Sequence, residues 1–173
     1  GLDQKRALAQ VEVVFDERVP VFASGLGSPA FLLKRAHQLG MQVWGLVGKP
    51  KQAKKQIAAG TDVIIAQGFD AAGHTGNIGT FSIVPQIADA ARAAGVPVLA
   101  AGGVTTGRHL AAALVLGASG VWTGSLWLAS RESDVNLPLK ERLIESETDD
   151  TVYSDCISGY TMRTTRCPWH DEW

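Results

Sequence analysis

The sequence predicts an α/β fold built on a parallel sheet, and three observations carry that expectation. Short β-branched runs alternate with Ala-rich stretches of helical period. The strand runs are apolar almost throughout rather than at every second residue, and each helical stretch ends on a glycine that leads into the next strand. The expected strands are Val19–Ser24, Gln42–Val47, Asp62–Gln67, Val96–Ala101 and Gly120–Thr123, separated by four helices. Runs such as Val-Ile-Ile-Ala at 63–66 and Val-Leu-Ala-Ala at 98–101 imply burial on both faces, which a sheet achieves only under a cover of helices.

Taken in order, Leu2 to Glu17 reads as a helix ahead of the first strand. Ser28-Pro29 then supplies an N-cap and a proline at the first helical position, with Leu32, Ala36 and Leu39 on one stripe. The next helix runs from about Pro50 to Ala59, Ala53 and Ile57 inward, Lys51 and Lys55 in solvent. A third keeps Ile83, Ile87, Ala90, Ala91 and Ala94 at helical spacing, and a fourth, from about Thr105 to Leu116, turns Leu110 and Leu114 to the core. Gly40, Gly60, Gly95 and Gly117 close the four helices where a left-handed cap favours glycine. After Ser130 the repeat stops. Residues 131–155 are rich in charge, and 158–173 mix basic residues with Trp169 and Trp173, so the expected division is a β/α part over 1–130 and a helical or irregular extension over 131–173.

Such repeats close into a (β/α)8 barrel or lie open as a doubly wound sheet, and the pattern alone does not separate the two. A whole barrel needs about 250 residues and eight strands, against 173 residues and five strands here. The chain starts at Gly1 without an initiator Met and is helical almost from its start, so it is expected to be the C-terminal portion of something longer.

Sixteen Lys and Arg against seventeen Asp and Glu give a formal net charge of −1, which removes the sustained positive field that nucleic acid or an anionic membrane requires. No apolar run reaches the roughly 18 residues of a membrane span, and no basic-then-apolar leader opens the chain, so a cytoplasmic protein is expected. The two cysteines, Cys156 and Cys167, are too few for a disulfide framework and lack the paired spacing of a zinc site. No metal is expected. Cys167 and His170 have no acid or further ligand at suitable spacing and read as structural, and the five tryptophans read as filling core and interface.

The longest interruption of the repeat is the loop from Gly68 to Thr80, which carries four glycines directly after a buried strand. Loops at strand carboxyl ends are where α/β folds build their sites. His74 stands at its centre between Gly73 and Gly76, and an imidazole over a cleft is a natural general base; the alternative is a surface histidine. His37 and His109 fall on helices and read as solvated or packed. A second feature is Ala101-Gly-Gly-Val104, followed by Trp122-Thr-Gly-Ser125 at the end of the last strand. Two neighbouring strand ends presenting glycine and backbone N–H groups suit a phosphate, though tight turns use the same residues. Gln67 places a carboxamide at a strand end, able to donate and accept toward a ring with mixed edges or to bond the loop backbone.

Gln67-Gly-Phe-Asp-Ala-Ala-Gly-His74, Ala100-Ala-Gly-Gly-Val104 with Gly107-Arg108, and Leu116-Gly-Ala-Ser-Gly-Val-Trp-Thr-Gly-Ser125 together resemble the nitronate monooxygenase family, formerly called 2-nitropropane dioxygenases. The resemblance covers essentially the whole chain, including the tail from Met162-Arg163 to Trp169 and Trp173. It implies an FMN-dependent (β/α)8 barrel of TIM type, of which this chain supplies roughly the last five strand-helix units. It also implies that His74 abstracts the proton α to a nitro group or activates a bound nitronate. Electrons pass to the flavin and on to oxygen, leaving a carbonyl compound and nitrite. By motif, Gln67, Ala72 and Gly73 would line the isoalloxazine, Gly102, Gly103, Trp122, Thr123, Gly124 and Ser125 would hold the phosphate side, and Lys54 matches a position that approaches the flavin. The expected partners are a small-molecule substrate and oxygen, with a homodimer left open. The chain departs from the usual Glu-Ala-Gly-Gly-His at Asp70 and Ala72, and from the usual Gly-Thr at Gly124-Ser125.

Two other readings share these motifs. Flavin-dependent enoyl-acyl-carrier-protein reductases carry the same loop and phosphate turns but take hydride from NAD(P)H, and Lys49, Lys51, Lys54 and Lys55 could dock their acidic carrier. A non-catalytic barrel fragment would bind flavin or phosphate without turnover.

Overall fold

A computed structural model describes residues 4–25 and 27–172 of the chain. Helix α1 (Gln4–Asp16) leads into β1 (Val21–Ser24), α2 (Ala30–Gln38), β2 (Gln42–Val47), α3 (Pro50–Ala59), β3 (Val63–Gln67), β4 (Gly73–His74), α4 (Thr80–Arg92), β5 (Val98–Ala101), α5 (Gly107–Val115) and β6 (Gly120–Trp122). Then come α6 (Leu137–Glu145), β7 (Thr151–Ser154) and β8 (Met162–Thr165), with short 3-10 turns at Ser125–Trp127, Thr148–Asp150 and Pro168–Asp171. The five expected strands and the helices between them all form. Leu2, in the expected first helix, and Trp173 lie outside the described residues.

The parallel sheet has the order β1-β2-β3-β5-β6, so each strand lies beside its predecessor. A doubly wound sheet reverses direction at a switch point. None occurs here, and right-handed crossovers then put every helix on one side. In agreement, α2 packs on β2, α3 on β2 and β3, α4 on β3 and β5, and α5 on β6, while α2 touches α3 and α3 touches α4.

The main core lies between these layers. Ile64 and Ala66 of β3 and Val98 and Ala100 of β5 meet Ala53 of α3 and Ile83, Val84, Ile87 and Ala91 of α4. A smaller cluster joins Phe15 of α1 to Leu32, Leu33 and Ala36 of α2, with Met41 and Val43. Ile64 is wholly buried. Ile64→Val removes one methylene there and is expected to lower the unfolding free energy by about 1 kcal/mol in a urea titration.

Residues of the opposite face align in rows: Trp44 with Val63, Leu46 with Ile65, Ile65 with Leu99, and Gln67 with Ala101 and Trp122. The indoles of Trp44 on β2 and Trp122 on β6 meet edge to face, centroids 6.1 Å apart. Their strands are three spacings apart, about 14 Å across the sheet. The sheet therefore curls around this face, as a barrel wall does.

Four expectations are corrected. Pro29, not Ser28, occupies the N-cap position of α2, and the Ser28 hydroxyl accepts the Ala30 N–H at 3.4 Å. Leu110 and Leu114 are 39% and 49% exposed, and Ala113 is the buried residue of α5. Ala94 is likewise exposed, because α4 ends at Arg92 and no longer holds it to the stripe. The α5 stripe needed a following strand-helix unit to cover it, but β6 is the edge of the sheet and runs into a 3-10 turn. The segment after Ser130 is also not only helical and irregular: β7 and β8 form a hairpin whose second strand pairs with β4.

Candidate functional site

The carboxyl ends of β3, β5 and β6 lie side by side, since Gln67 pairs with Ala101 and Ala101 with Trp122. This edge brings the His74 loop, the Gly102-Gly103 turn and the Thr123-Gly124-Ser125 turn together, as expected from their positions at strand ends.

The loop after β3 is clamped at its base. The Gly68 N–H continues the ladder to the Ala101 carbonyl at 2.9 Å, the Phe69 N–H donates to the Ile78 carbonyl at 2.8 Å, and the Ala71 N–H donates to the Gly68 carbonyl at 3.1 Å. Asp70 Oδ2 accepts the Thr80 N–H at 2.7 Å, closing the first turn of α4, whose N-cap Gly79 has no side chain to do so. The Thr80 hydroxyl donates in turn to the Gly102 carbonyl at 3.0 Å, tying the loop to the second glycine turn. Contact is close enough there that a Cβ on Gly102, already at φ +106°, would lie 2.9 Å from the Ala71 nitrogen.

Burial pushes the Asp70 carboxyl up, but hydrogen bonds from Thr80, its own backbone N–H and the positive charge of Arg163 outweigh it, and it titrates below the ordinary carboxylate range. A lowered folded value means that the ionised carboxylate stabilises the fold above the unfolded value near pH 4. That contribution fades as pH falls through the folded value. Asp70→Ala is expected to weaken the α4 cap by about 1 kcal/mol at neutral pH and to flatten the acid limb of a stability profile followed by circular dichroism.

His74 sits at the apex, partly buried. As β4 it pairs antiparallel with β8, Gly73 opposite Arg163 and His74 opposite Met162. Its Nε2 lies 2.9 Å from the Ser158 hydroxyl, which itself donates to the Tyr160 carbonyl at 3.2 Å, and the Tyr160 ring stands edge-on at 6.4 Å. The limb before it is held from the other side. Phe69 and Tyr153 stack with centroids 3.8 Å apart and planes within 9°, and the Tyr153 hydroxyl donates to the Phe69 carbonyl at 2.6 Å. Arg163 donates to the Tyr153 hydroxyl at 3.2 Å, to the Asp70 carbonyl at 3.4 Å and to the Thr151 hydroxyl at 2.9 Å. Next to His74, the Thr75 hydroxyl is closed off from solvent and has no hydrogen-bond partner among the described residues.

Of the residues expected to bind a cofactor, Gln67, Gly73, Gly102, Gly103, Thr123, Gly124 and Ser125 line this edge, and Ala72 is exposed on the loop. The Trp122 backbone belongs to it while its indole lies against Trp44. Thr123 accepts a hydrogen bond from the Trp127 indole at 2.8 Å. Lys54 is exposed on α3, where Ala53 and Gln56 are the buried residues. Cys167 and His170 do meet, Sγ to Nδ1 at 3.1 Å, within the terminal 3-10 turn. No group of three or more potential metal ligands exists among the described residues, and no helix there is long and apolar enough to cross a membrane.

Ser158, Tyr160, Tyr153, Arg163, Thr75 and Thr80 were not visible as site residues in the sequence. The available signal was a hairpin: the β-rich runs Thr-Val-Tyr-Ser at 151–154 and Met-Arg-Thr-Thr at 162–165 bracket a loop containing Gly159.

The family model for nitronate monooxygenase matches residues 3–172. Rv1533 of Mycobacterium tuberculosis, provisionally named a monooxygenase, is 42% identical over 164 residues, which cover 94% of this chain and 43% of that protein. FabK from Thermotoga maritima superposes with a TM-score of 0.91 at 34% identity, covering 99% of this chain and 54% of the other. Nitroalkane oxidase from Streptomyces ansochromogenes superposes at 0.88 with 30% identity, covering 96% and 50%. The chain thus spans about half the length of the relatives it matches, and its five units are part of a (β/α)8-type barrel.

Proposed function

This chain belongs to the nitronate monooxygenase family, and from that premise we propose that it carries the flavin and base residues of an enzyme oxidising nitronates or nitroalkanes with oxygen, giving a carbonyl compound and nitrite. The observation that carries the reading is His74, held over the carboxyl edge of the sheet with its Nε2 against Ser158.

The residues fit FMN. Gly102 and Gly103 both have positive φ, and a Cβ on Gly124 would meet nothing within 4 Å, so the second of the two adjacent turns leaves backbone free to approach a phosphate. Helix α5 begins just beyond the first turn, and its N-terminus favours an anion. The closed-off Thr75 hydroxyl beside His74 is the kind of unpaired buried group that a bound ring edge satisfies. A flavin held there would supply the redox chemistry, an acceptor for two electrons from the substrate carbon that oxygen can reoxidise.

The chain's own residues handle the proton. In the tautomer whose Nε2–H donates to the Ser158 oxygen, the hydroxyl hydrogen goes to the Tyr160 carbonyl and the lone pair lies on Nδ1. A neutral imidazole in that tautomer takes the α proton of a nitroalkane, while Ser158 keeps the ring from rotating. Both cysteines are free, which supports a cytoplasmic setting.

A second reading, NAD(P)H-dependent reduction of an acyl-carrier-bound substrate, is favoured by the likeness to FabK and by the exposed Lys49, Lys51, Lys54 and Lys55 at the start of α3. Titration with FMN, followed by visible absorption and fluorescence, tests the cofactor. Anaerobic addition of NADH or NADPH to the loaded protein then separates the readings: the flavin stays oxidised under the first and bleaches under the second.

A further inference from the structure

Resting on the reading of His74 as the base, we propose that Tyr153 and Arg163 are positioning residues: together they lock the register of β4 against β8 and so decide on which face of the small sheet His74 lies. Strand β4 has two residues, and its pairing with β8 covers only Gly73 and His74. A ladder that short specifies its register weakly, and a slip of one residue moves every side chain to the opposite face. Something beyond the ladder must fix it.

Cross-strand neighbours share a face, and Tyr153, Arg163 and Gly73 are opposite one another across β7, β8 and β4. Ser154, Met162 and His74 form the next row and therefore take the other face. On the first face, the Tyr153 ring stacks on Phe69, its hydroxyl bonds the Phe69 carbonyl, and Arg163 reaches both that hydroxyl and the Asp70 carbonyl. Gly73, at φ +73° and with no side chain, leaves this face clear. The second face then presents His74 to Ser158 and Tyr160. Three directed contacts to residues four and five positions before His74, with Arg163 and Tyr153 also bonded to each other, thus hold the strand in the one register that brings the imidazole to its partner.

The test uses the full 173-residue chain, with and without FMN. In Tyr153→Leu/Arg163→Met, the nuclear Overhauser contact between the His74 and Tyr160 rings should disappear and the His74 ring nitrogen shifts should change, while amide shifts of β2, β3 and β5 stay in place. In the loaded protein, kcat with a nitroalkane should fall about 100-fold with KM nearly unchanged, as for a misplaced base. Tyr153→Phe, which keeps the stack and loses the hydroxyl, should fall between this variant and wild type. Should the double variant fail to fold, Arg163→Met alone carries the test by the same ring contact. A His74–Tyr160 contact and turnover equal to wild type in these variants would overturn the lock. If the wild-type chain itself shows no reaction with nitroalkane, the functional reading fails, and the ring contact still decides the lock.

Discussion

Replacing His74 with asparagine is expected to leave FMN binding unchanged and to slow flavin reduction by a neutral nitroalkane by at least about 100-fold. Asparagine has no basic nitrogen, and its short amide stands where Nδ1 was rather than at Nε2, the atom 2.9 Å from Ser158 in the native site. Preformed nitronate, which has already lost its proton, should be affected much less. That split separates a proton-transfer role from a structural one, because a loop that had merely collapsed would slow both substrates alike. Stopped-flow absorption under anaerobic conditions, with each substrate in turn, is the measurement; equal slowing of both would remove His74 from the proton transfer.

The largest structural effect is expected at Gly68. A Cβ there would overlap the Thr80 side-chain oxygen together with the Thr80 nitrogen and Cα. The hydroxyl could rotate aside, but the start of α4 cannot, because Thr80 is fixed by Asp70 and by the Gly102 carbonyl. Gly68→Ala should therefore push α4 from β3 and the glycine turn from the loop at once. About 3 kcal/mol of stability should be lost, which for a chain of this size lowers Tm by about 10 °C in calorimetry. Flavin affinity should fall with it, since both turns move.

The legible part of this molecule is the part made of repeats. Val63–Ala66 is apolar at every position because helices cover one face and the curled sheet covers the other, and that continuous run is visible without any tertiary knowledge. The glycines at helix ends are equally plain: Gly40, Gly60, Gly95 and Gly117 all have positive φ. His74 stood out because no other histidine lies in a long glycine loop. What surrounds it did not, for a physical reason. Ser158 is 84 positions away and belongs to a half-exposed hairpin whose strands carry no core stripe, so nothing in local periodicity links it to the loop. Leu110 and Leu114 misled for the opposite reason. Their spacing is that of a buried stripe, but burial depends on a neighbour that the edge position of β6 does not provide. The repeat pattern by itself left an open sheet and a barrel undivided, and the resemblance of the motifs made the choice; strand order and the curl that lets Trp44 meet Trp122 bear it out.

The proposed function puts a flavin at the carboxyl edge of this sheet, within reach of a substrate presented to His74. Anaerobic addition of a nitronate to the FMN-loaded 173-residue chain, with the visible flavin absorption followed, tests it. The expected result is loss of the oxidised flavin band, restored by oxygen with release of nitrite. A flavin that is bound and spectrally perturbed, yet stays oxidised with nitronate in excess, would contradict it.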